Sequence, residues 1–356
     1  MAESKRRQKI AAGSAAAAGL AAFAGYMYKE YKKNFLVRGA EPTGFLEYYR
    51  ERHPEMKTRD FSCPSDKKAQ IRGLILLPEG EPQALIVMTH GYNFTLENYL
   101  PLGRRFTLAG FAVLLFDGVG CGRSEGMGIY GIPQHTLDMK SVLESVAEDP
   151  DLSSMPLLLF GHSWAGQAAT TVACLGNFPI RGIISCSSSR TSMSAMNQSI
   201  HRRYGKAALL IEKISDGMVF CAFGKNAFLS MEDGLRKANC PAQVYHSRDD
   251  VIIDFEESFL AVKKALSDCP QIQFIEVDGR GHDVYLFPEN SRRQREIRKE
   301  LKKELEENHR KELLEELGQL MSETDEEKAR QFIDFYKNCL RETENRPLSP
   351  LNVNAL

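Results

Sequence analysis

Short, mostly apolar runs alternate with longer amphipathic segments through the first half of the chain. Runs of this length are typical of strands buried on both faces, and the segments between them have helical spacing. The runs are Ile71–Leu77, Ala84–Met88, Phe111–Phe116, Leu157–Phe160 and Ile180–Ser185. The segments over 96–108, 136–147 and 164–175 are predicted to be helices. This alternation predicts an α/β fold with a mostly parallel central sheet and helices on both of its faces.

Residues 188–232 interrupt the alternation. They are rich in serine, methionine and phenylalanine at helical spacing, and they contain no obvious strand. We interpret them as an inserted helical cap, whose methionine- and phenylalanine-rich face either packs internally or forms part of a substrate site. The sheet pattern resumes at Ala242–Tyr245 and again at Ile272–Ile275. A central domain is therefore predicted over 35–288.

An uncharged run, Ile10–Met27, lies between basic residues near the N-terminus. Its 18 residues reach the length of a membrane-spanning helix, but nine are alanine and three are glycine, which add little to insertion. We favour an N-terminal membrane anchor over 1–34. A cleaved signal peptide ending near Ala22-Phe23-Ala24 is one alternative, and it implies secretion. An alanine-rich helix of a cytoplasmic protein is the other.

The C-terminal segment, 289–356, is unusually charged. Arginine, lysine and glutamate are dense between Ser291 and Met321. Ser291-x-x-Gln294 and Thr324-x-x-Glu327 resemble capping boxes and predict two successive helices. Because charges of alternating sign are typical of a solvated helix face, we predict a charged helical C-terminal extension. Binding of a partner or of a membrane surface is the alternative role.

The strand Leu157–Phe160 continues directly into Gly161-His162-Ser163-Trp164-Ala165-Gly166. A buried strand, a tight turn that carries a serine, and an immediate helix are the parts of a nucleophile elbow. Small residues two positions before and after the serine let neighbouring backbone pass closely. Here these are Gly161 and Ala165, the second replacing a more common glycine. Ser163 is therefore the predicted nucleophile.

A serine nucleophile needs a base and an acid that orients the base, and in this type of fold they follow the serine in the order acid, histidine. His282 lies in a glycine-containing segment just after the last predicted strand, and it is the predicted base. Asp249 and Asp250 follow the preceding strand. Because neighbours in an extended segment point to opposite sides, only one can face His282. We favour Asp250, with Asp249 as second choice.

Two backbone N–H groups are needed to stabilise the oxyanion that forms during acyl transfer. Trp164, the residue after the nucleophile, is predicted to supply one. The loop Thr89–Asn93 is predicted to supply the other, with Tyr92 as the donor and Gly91 allowing the turn. His90 is expected to brace this loop, while His162 is expected to point away from the nucleophile.

Composition excludes several classes of protein. With 46 basic and 47 acidic residues, the chain has no overall charge that favours nucleic acid. Its eight cysteines show no zinc-ligand spacing, and we expect most of them to be free thiols. The glycine-rich run Asp117–Ser124 has a phosphate-binding loop as its alternative interpretation. It lacks the lysine of a P-loop and the spacing of a dinucleotide-binding motif.

These motifs, in this order, resemble those of α/β-hydrolases. His90-Gly91, Asp117–Ser124, Gly161–Gly166 and Gly281-His282 are most similar to the branch that contains monoacylglycerol lipases, lysophospholipases and serine aminopeptidases. The resemblance covers about 65–288. It implies an α/β-hydrolase fold and hydrolysis of an ester, thioester or amide through an acyl-enzyme, without a metal or an organic cofactor.

The leading prediction is a serine hydrolase that cleaves a carboxylic ester of a lipid or another small acyl compound. Its partners would be small molecules rather than nucleic acid, with membrane association through the N-terminus. An aminopeptidase or amidase on the same fold is the alternative, and it would need cap carboxylates such as Glu212 or Asp216 to hold a substrate amine. A non-catalytic scaffold is a third hypothesis, which the complete serine, acid and histidine set disfavours.

Overall fold

An eight-stranded sheet forms the centre of the molecule. The computed structural model describes residues 19, 22–23, 25–322 and 325–344. The sheet order is β1-β2-β4-β3-β5-β6-β7-β8, and all neighbours are parallel except β1/β2 and β2/β4. The strands are Lys57–Pro64 (β1), Gln70–Leu77 (β2), Leu85–Thr89 (β3), Ala112–Phe116 (β4), Leu157–His162 (β5), Ile180–Cys186 (β6), Ala242–Ser247 (β7) and Ile272–Val277 (β8). The predicted α/β class and mostly parallel sheet are confirmed.

The apolar runs form strands because helices cover both faces of the sheet. Every residue of β3 and β4 is buried. Within β4, Val113 and Leu115 belong to one apolar core, whereas Leu114 and Phe116 belong to the core on the opposite face. β1 was not predicted, because this edge strand buries only Phe61 and Cys63 and lacks a continuous apolar run.

Helices fill the layers on either side. The first core includes residues of α2, α3 and α11 to α13, and the second includes residues of α4, α6, α9 and α10. The helices are 25–35 (α1), Phe45–Arg52 (α2), Leu100–Leu108 (α3), Gln134–Glu148 (α4), Pro150–Ser153 (α5), Trp164–Thr171 (α6), Ser192–Tyr204 (α7), Ala208–Phe223 (α8), Met231–Ala238 (α9), Ala261–Ala265 (α10), Pro288–Leu301 (α11), Glu307–Ser322 (α12) and Glu326–Glu344 (α13).

The segment predicted as a cap contains α7 and α8, which lie between β6 and α9 in the chain. A single antiparallel bridge between Thr191 and Ser230 joins the two ends of this insertion. Its own small apolar cluster includes Met193, Val219 and Phe223. The insertion therefore has an internal core that is separate from the two cores of the sheet.

The charged C-terminal segment packs on the sheet along one side of its helices. Ile297 and Leu301 are buried, whereas Leu305, four residues later, is 94% exposed. In α13, the hydroxyl group of Tyr336 donates a hydrogen bond of 2.6 Å to the carbonyl of Leu159 in β5. Phe332 is fully buried in the same core. Residues on both sides of position 288 thus share one apolar core.

The capping box predicted at Ser291-x-x-Gln294 is wrong. α11 begins at Pro288 with Phe287 at its N-cap, since proline is favoured in the first turn of a helix. Ser291 is therefore inside the helix, where its hydroxyl group donates to the carboxylate of Asp283. The second predicted box starts at Thr324, which lies outside the described residues.

Most of the run predicted as a membrane anchor, Ile10–Met27, also lies outside the described residues. Across the part of the chain that the structure describes, no helix combines the length and the apolar character needed to cross a bilayer.

Candidate active site

Ser163 occupies the turn between β5 and α6. Its backbone has φ 57° and ψ −119°, a conformation that is strained for a residue with a side chain. A side chain on Gly161 would place its Cβ 2.2 Å from the carbonyl oxygen of Ala165, so only glycine fits there. The N–H of Ser163 donates to the carbonyl of Cys186 at 2.8 Å, which fixes the turn against β6. Strand, turn and helix together project the serine beyond the carboxyl end of the sheet.

Three of the predicted site residues lie in contact at this edge. Nε2 of His282, in the loop after β8, lies 2.8 Å from Oγ of Ser163. Nδ1 of the same ring lies 2.8 Å from Oδ2 of Asp250, in the loop after β7. Because an ionised carboxylate only accepts hydrogen bonds, Nδ1 carries a proton and Nε2 of the neutral ring can accept the serine proton. This is the arrangement needed for a serine nucleophile, its base and an orienting acid.

Asp250 is held as an ionised carboxylate. Its Oδ1 accepts hydrogen bonds from the backbone N–H groups of Ile252 and Ile253, at 2.8 and 3.0 Å. Its Oδ2 also lies 3.1 Å from Nε2 of His246. Burial by itself raises the pKa of Asp250, but the hydrogen bonds from His246 and His282 outweigh it and hold that pKa well below its ordinary value.

Asp249, the second choice for the acid, points elsewhere. Its Oδ1 accepts hydrogen bonds from the Ser247 hydroxyl group at 2.5 Å and from the N–H of Gly281 at 3.1 Å. The two neighbouring carboxylates thus contact different parts of the same loop. Asp250 contacts the imidazole of His282, and Asp249 contacts the backbone just before it.

The two predicted oxyanion donors lie next to the elbow. Trp164 is the first residue of α6, where an N–H has no acceptor within its own helix. Tyr92 lies in the loop after β3, and its ring is 5.8 Å from that of Trp164. Gly91 brings this loop close to the nucleophile, because a side chain there would lie 3.6 Å from Cβ of Ser163. The assignment of Tyr92 and Trp164 as donors stays a prediction.

Comparison with known proteins gives three related results. The family model described as "Serine aminopeptidase, S33" matches residues 80–211. A monoacylglycerol lipase of Mycolicibacterium smegmatis is 29% identical over 91 residues, a match that spans 25% of this chain and only 32% of the lipase. An esterase of Pyrococcus furiosus superposes with a TM-score of 0.51 at 15% identity, covering 71% of this chain and 94% of the esterase.

The chain has an α/β-hydrolase fold. The predicted resemblance is thereby confirmed, with the hydrolase fold extending over the sheet and the helices on both of its faces. The likeness to the esterase concerns the fold, since the two sequences share few residues.

A buried series of hydrogen bonds behind Ser163 was not predicted. The hydroxyl group of Tyr99 accepts a hydrogen bond from the N–H of Gly91 at 3.1 Å and lies 3.2 Å from Nδ1 of His162. Nε2 of His162 lies 3.0 Å from the carbonyl oxygen of His282. Burial lowers the pKa of His162 to about 4, so the ring is neutral near pH 7. These hydrogen bonds connect the loop of Gly91, the turn that carries Ser163 and the loop of His282.

His90 braces the loop after β3, as predicted. Its Nδ1 donates to the carbonyl of Gly91 at 2.9 Å, and its Nε2 accepts a hydrogen bond from the N–H of Gly118 at 3.0 Å. Burial lowers the pKa of His90 to about 4, which keeps this pattern of one donor and one acceptor. His90 therefore contacts the backbone and lies in a position to hold two loops together.

The glycine-rich run Asp117–Ser124 is built around groups of the protein itself. The carboxylate of Asp117 accepts hydrogen bonds from the N–H groups of Leu96 and Arg123, at 2.7 and 2.9 Å. The guanidinium group of Arg38 donates to the carbonyls of Gly122 and Ser124, at 2.8 and 3.0 Å. A loop that turns carbonyl oxygens toward a cation does not form a phosphate site, which needs converging N–H groups.

A cavity of about 380 Å³ opens beside Ser163. Its lining is mainly apolar and comes from α1, from the two insertion helices α7 and α8, and from the loop after β7. The apolar lining residues include Met27, Phe35, Met196, Ile200, Ile211, Met218 and Ile253. Of the methionines of the insertion, Met196 and Met218 line this cavity, while Met193 lies in the insertion's own core, against which Met196 also packs.

Proposed function

We propose that this hydrolase cleaves carboxylic esters with an apolar acyl group, through an acyl-enzyme on Ser163. One observation carries the proposal. Ser163, His282 and Asp250 form an unbroken series of 2.8 Å contacts, and Ser163 lines a mainly apolar cavity. A hydroxyl group, a neutral imidazole and an ionised carboxylate in this geometry are the requirements for nucleophilic attack on an acyl carbon.

The proposed reaction has two halves. Oγ of Ser163 attacks the ester carbonyl carbon while Nε2 of His282 takes its proton, and the N–H groups of Tyr92 and Trp164 stabilise the oxyanion. The C–O bond to the alcohol then breaks as His282 returns the proton to the leaving oxygen. Water, deprotonated by the same imidazole, attacks the acyl-enzyme, and the acid is released with the serine proton restored. Asp250 keeps the imidazole oriented and stabilises its protonated form.

The cavity supports an apolar substrate group. Methionine, isoleucine and aromatic side chains together form most of its lining, and such surfaces accommodate flexible chains without specific polar contacts. The names of the similar proteins, a monoacylglycerol lipase and an esterase, agree with an ester substrate. An acyl ester or a monoacyl lipid is therefore the proposed substrate class.

An aminopeptidase function receives its support from the description of the matching family model. The insertion carboxylates proposed to hold an amine do not contact the cavity beside Ser163. Glu212 binds Asn197 and His201, at 3.1 and 2.8 Å, and lines a neighbouring cavity of about 670 Å³ that shares Arg202 with the cavity beside Ser163. Among the described residues that line the cavity beside Ser163, Glu30 supplies the carboxylate that could hold an amine. Its side chain lies 3.7 Å from the guanidinium group of Arg203. We therefore place ester hydrolysis first.

A fluorophosphonate probe and a pair of chromogenic substrates test the proposal. We expect the probe to label the wild-type chain and to leave Ser163→Ala unlabelled, while Ser62→Ala on the edge strand is labelled normally. p-Nitrophenyl esters should be turned over much faster than amino-acid p-nitroanilides. Labelling that persists in Ser163→Ala would rule out Ser163 as the nucleophile. Faster hydrolysis of the anilides would favour the aminopeptidase function.

Membrane attachment through residues 1–34 is a second, independent proposal, drawn from the uncharged run Ile10–Met27 and its basic flanks. Alkaline carbonate extraction of membranes from the native host tests it. Retention of the full chain in the pellet is expected. Release into the supernatant, or a mature chain that begins after Ala24, would contradict an anchor.

A further inference from the structure

α1 is fastened to the hydrolase domain at its C-terminal end. The hydroxyl group of Tyr31 donates to the carbonyl of Tyr130 at 2.5 Å, and the N–H of Tyr130 donates to the carbonyl of Phe35 at 2.7 Å. The backbone of Leu36 passes so close to Gly128 that a side chain there would lie 2.8 Å from it. α1 therefore has a defined position against the loop over 120–131, although it lies in the segment predicted as an anchor.

The other side of α1 contacts the insertion and the loop after β3. Glu30 lies 3.7 Å from the guanidinium group of Arg203 in α7, and the hydroxyl groups of Tyr26 and Tyr204 are 3.3 Å apart. The hydroxyl group of Tyr92 lies 3.4 Å from the carbonyl oxygen of Asn34. α1 thus bridges the predicted oxyanion loop and the insertion helix that carries Arg203.

One face of α1 lines the cavity beside Ser163. Residues spaced three or four apart on a helix lie on the same face, and the lining residues of α1 follow that spacing: Met27, Glu30, Tyr31, Asn34 and Phe35. We call this set the cavity face of α1. Lysines and Tyr28 lie on the other side, where Tyr28 is 53% exposed, whereas Met27 is 8% exposed.

The cavity face has a direction. Asn34 lies beside Tyr92, which lines the cavity together with Ser163, and Met27 lies seven residues earlier in the helix. At 1.5 Å per residue, this separation places Met27 roughly 10 Å further along the cavity. An acyl chain stays bonded to Ser163 through the acyl-enzyme, whereas the alcohol must leave. The group that needs a long wall is therefore the acyl chain.

We propose that α1 determines the acyl-chain length that the hydrolase accepts, with the chain lying along the cavity face and ending near Met27. This inference rests on the proposed ester hydrolysis at Ser163. It assigns the substrate class as esters of medium or long straight-chain acids. It also means that residues preceding all the sequence motifs of the domain form part of the substrate site.

The test compares two neighbouring residues of α1 in the full chain. Met27→Trp fills the cavity end, whereas Tyr28→Trp adds the same side chain on the exposed side. With p-nitrophenyl acetate, butyrate, octanoate, decanoate and laurate as substrates, Met27→Trp should lower kcat/KM for the two longest esters by about tenfold or more, because filling a pocket penalises each excess methylene. The acetate is too short to reach Met27, so the laurate-to-acetate ratio of kcat/KM should fall in Met27→Trp, whereas Tyr28→Trp should leave the whole series unchanged.

Two further measurements separate failure of this inference from failure of the proposed function. Met27→Ala, which enlarges the cavity, should shift the preference toward longer esters. In a Ser163→Ala background, calorimetric binding of laurate should weaken on Met27→Trp and not on Tyr28→Trp. An unchanged chain-length profile and unchanged laurate binding would overturn the role of α1 while ester hydrolysis stands. If laurate binding depends on Met27 but the wild type does not hydrolyse esters, the role of α1 stands and the proposed reaction is contradicted.

Discussion

The hydroxyl oxygen of Tyr99 lies 3.2 Å from Nδ1 of His162, the residue that precedes Ser163. Since the same oxygen accepts a hydrogen bond from Gly91, a single phenol connects the predicted oxyanion loop to the elbow. His162 in turn contacts the carbonyl of His282. For the proposed reaction we therefore expect Tyr99 and His162 to be positioning residues, because they contact backbone next to Ser163 and His282.

Tyr99→Phe should lower kcat by about tenfold with little effect on KM, since it leaves the Gly91 N–H without its acceptor, a defect worth about 1–3 kcal/mol. Tyr336→Phe is the matched control, because that hydroxyl group is also buried and bonded but lies on the sheet, against Leu159. Both variants should lower the Tm, and only Tyr99→Phe should change kcat. Equal kcat values for the two variants would show that Tyr99 contributes to stability and not to positioning of the site.

Asp250→Asn should lower kcat by about 10⁴-fold, because an amide cannot hold the imidazole in the tautomer that accepts the serine proton. Asp249→Asn weakens only the contacts to Ser247 and Gly281 and should cost much less. Steady-state kinetics with a short p-nitrophenyl ester measure both. A larger loss in Asp249→Asn than in Asp250→Asn would reverse the assignment of the acid.

The depressed pKa of Asp250 also predicts how stability depends on pH. A carboxyl group whose folded pKa is lowered stabilises the protein above its unfolded pKa of about 3.9, and the stabilisation is lost as pH falls toward the folded pKa. Below about pH 4 the wild type should therefore lose stability more steeply than Asp250→Asn. Urea unfolding between pH 3 and pH 7 measures the difference. Parallel pH profiles would show that His246 and His282 do not stabilise the charged form.

The sequence predicted the sheet well because parallel strands buried on both faces must be apolar without interruption. β1 lacks such an apolar run, because as an edge strand it buries only two residues, Phe61 and Cys63. The elbow and the two loops that carry Asp250 and His282 could be found, since each follows a predicted strand directly. Tyr99 could not be found, because its role depends on where α3 begins relative to β5.

The contribution of α1 and of the C-terminal helices was hidden for a different reason. Both segments have charged, solvent-facing sides, and these dominate their composition. The few buried residues, such as Met27 or Phe332, carry the packing but do not stand out in a charged sequence. The composition of each segment thus reflects the exposed face of its helices, and the buried face could be identified only from the three-dimensional structure.

Two variants test whether the C-terminal helices belong to the hydrolase core. Phe332, in α13, contacts the rings of Phe160 and Tyr245 in the sheet. Truncation of a fully buried phenylalanine costs about 3–5 kcal/mol. Phe332→Ala should therefore lower the unfolding midpoint of the whole domain in urea. Leu305→Ala, at an exposed position of the same segment, should have no effect. Unfolding of α13 as a separate, earlier transition would instead describe an appended extension.

The elbow should distinguish sharply between its two small residues. Gly161→Ala places a methyl group 2.2 Å from the Ala165 carbonyl, where backbone rather than a flexible side chain must move. We expect a loss of about 3 kcal/mol or more in unfolding free energy, at the upper end of overpacking effects, together with loss of fluorophosphonate labelling. Ala165→Gly, which restores the commoner residue, should cost about 1 kcal/mol in helix propensity and keep the labelling. Retention of full labelling by Gly161→Ala would show that the turn can open without displacing Ser163 from His282.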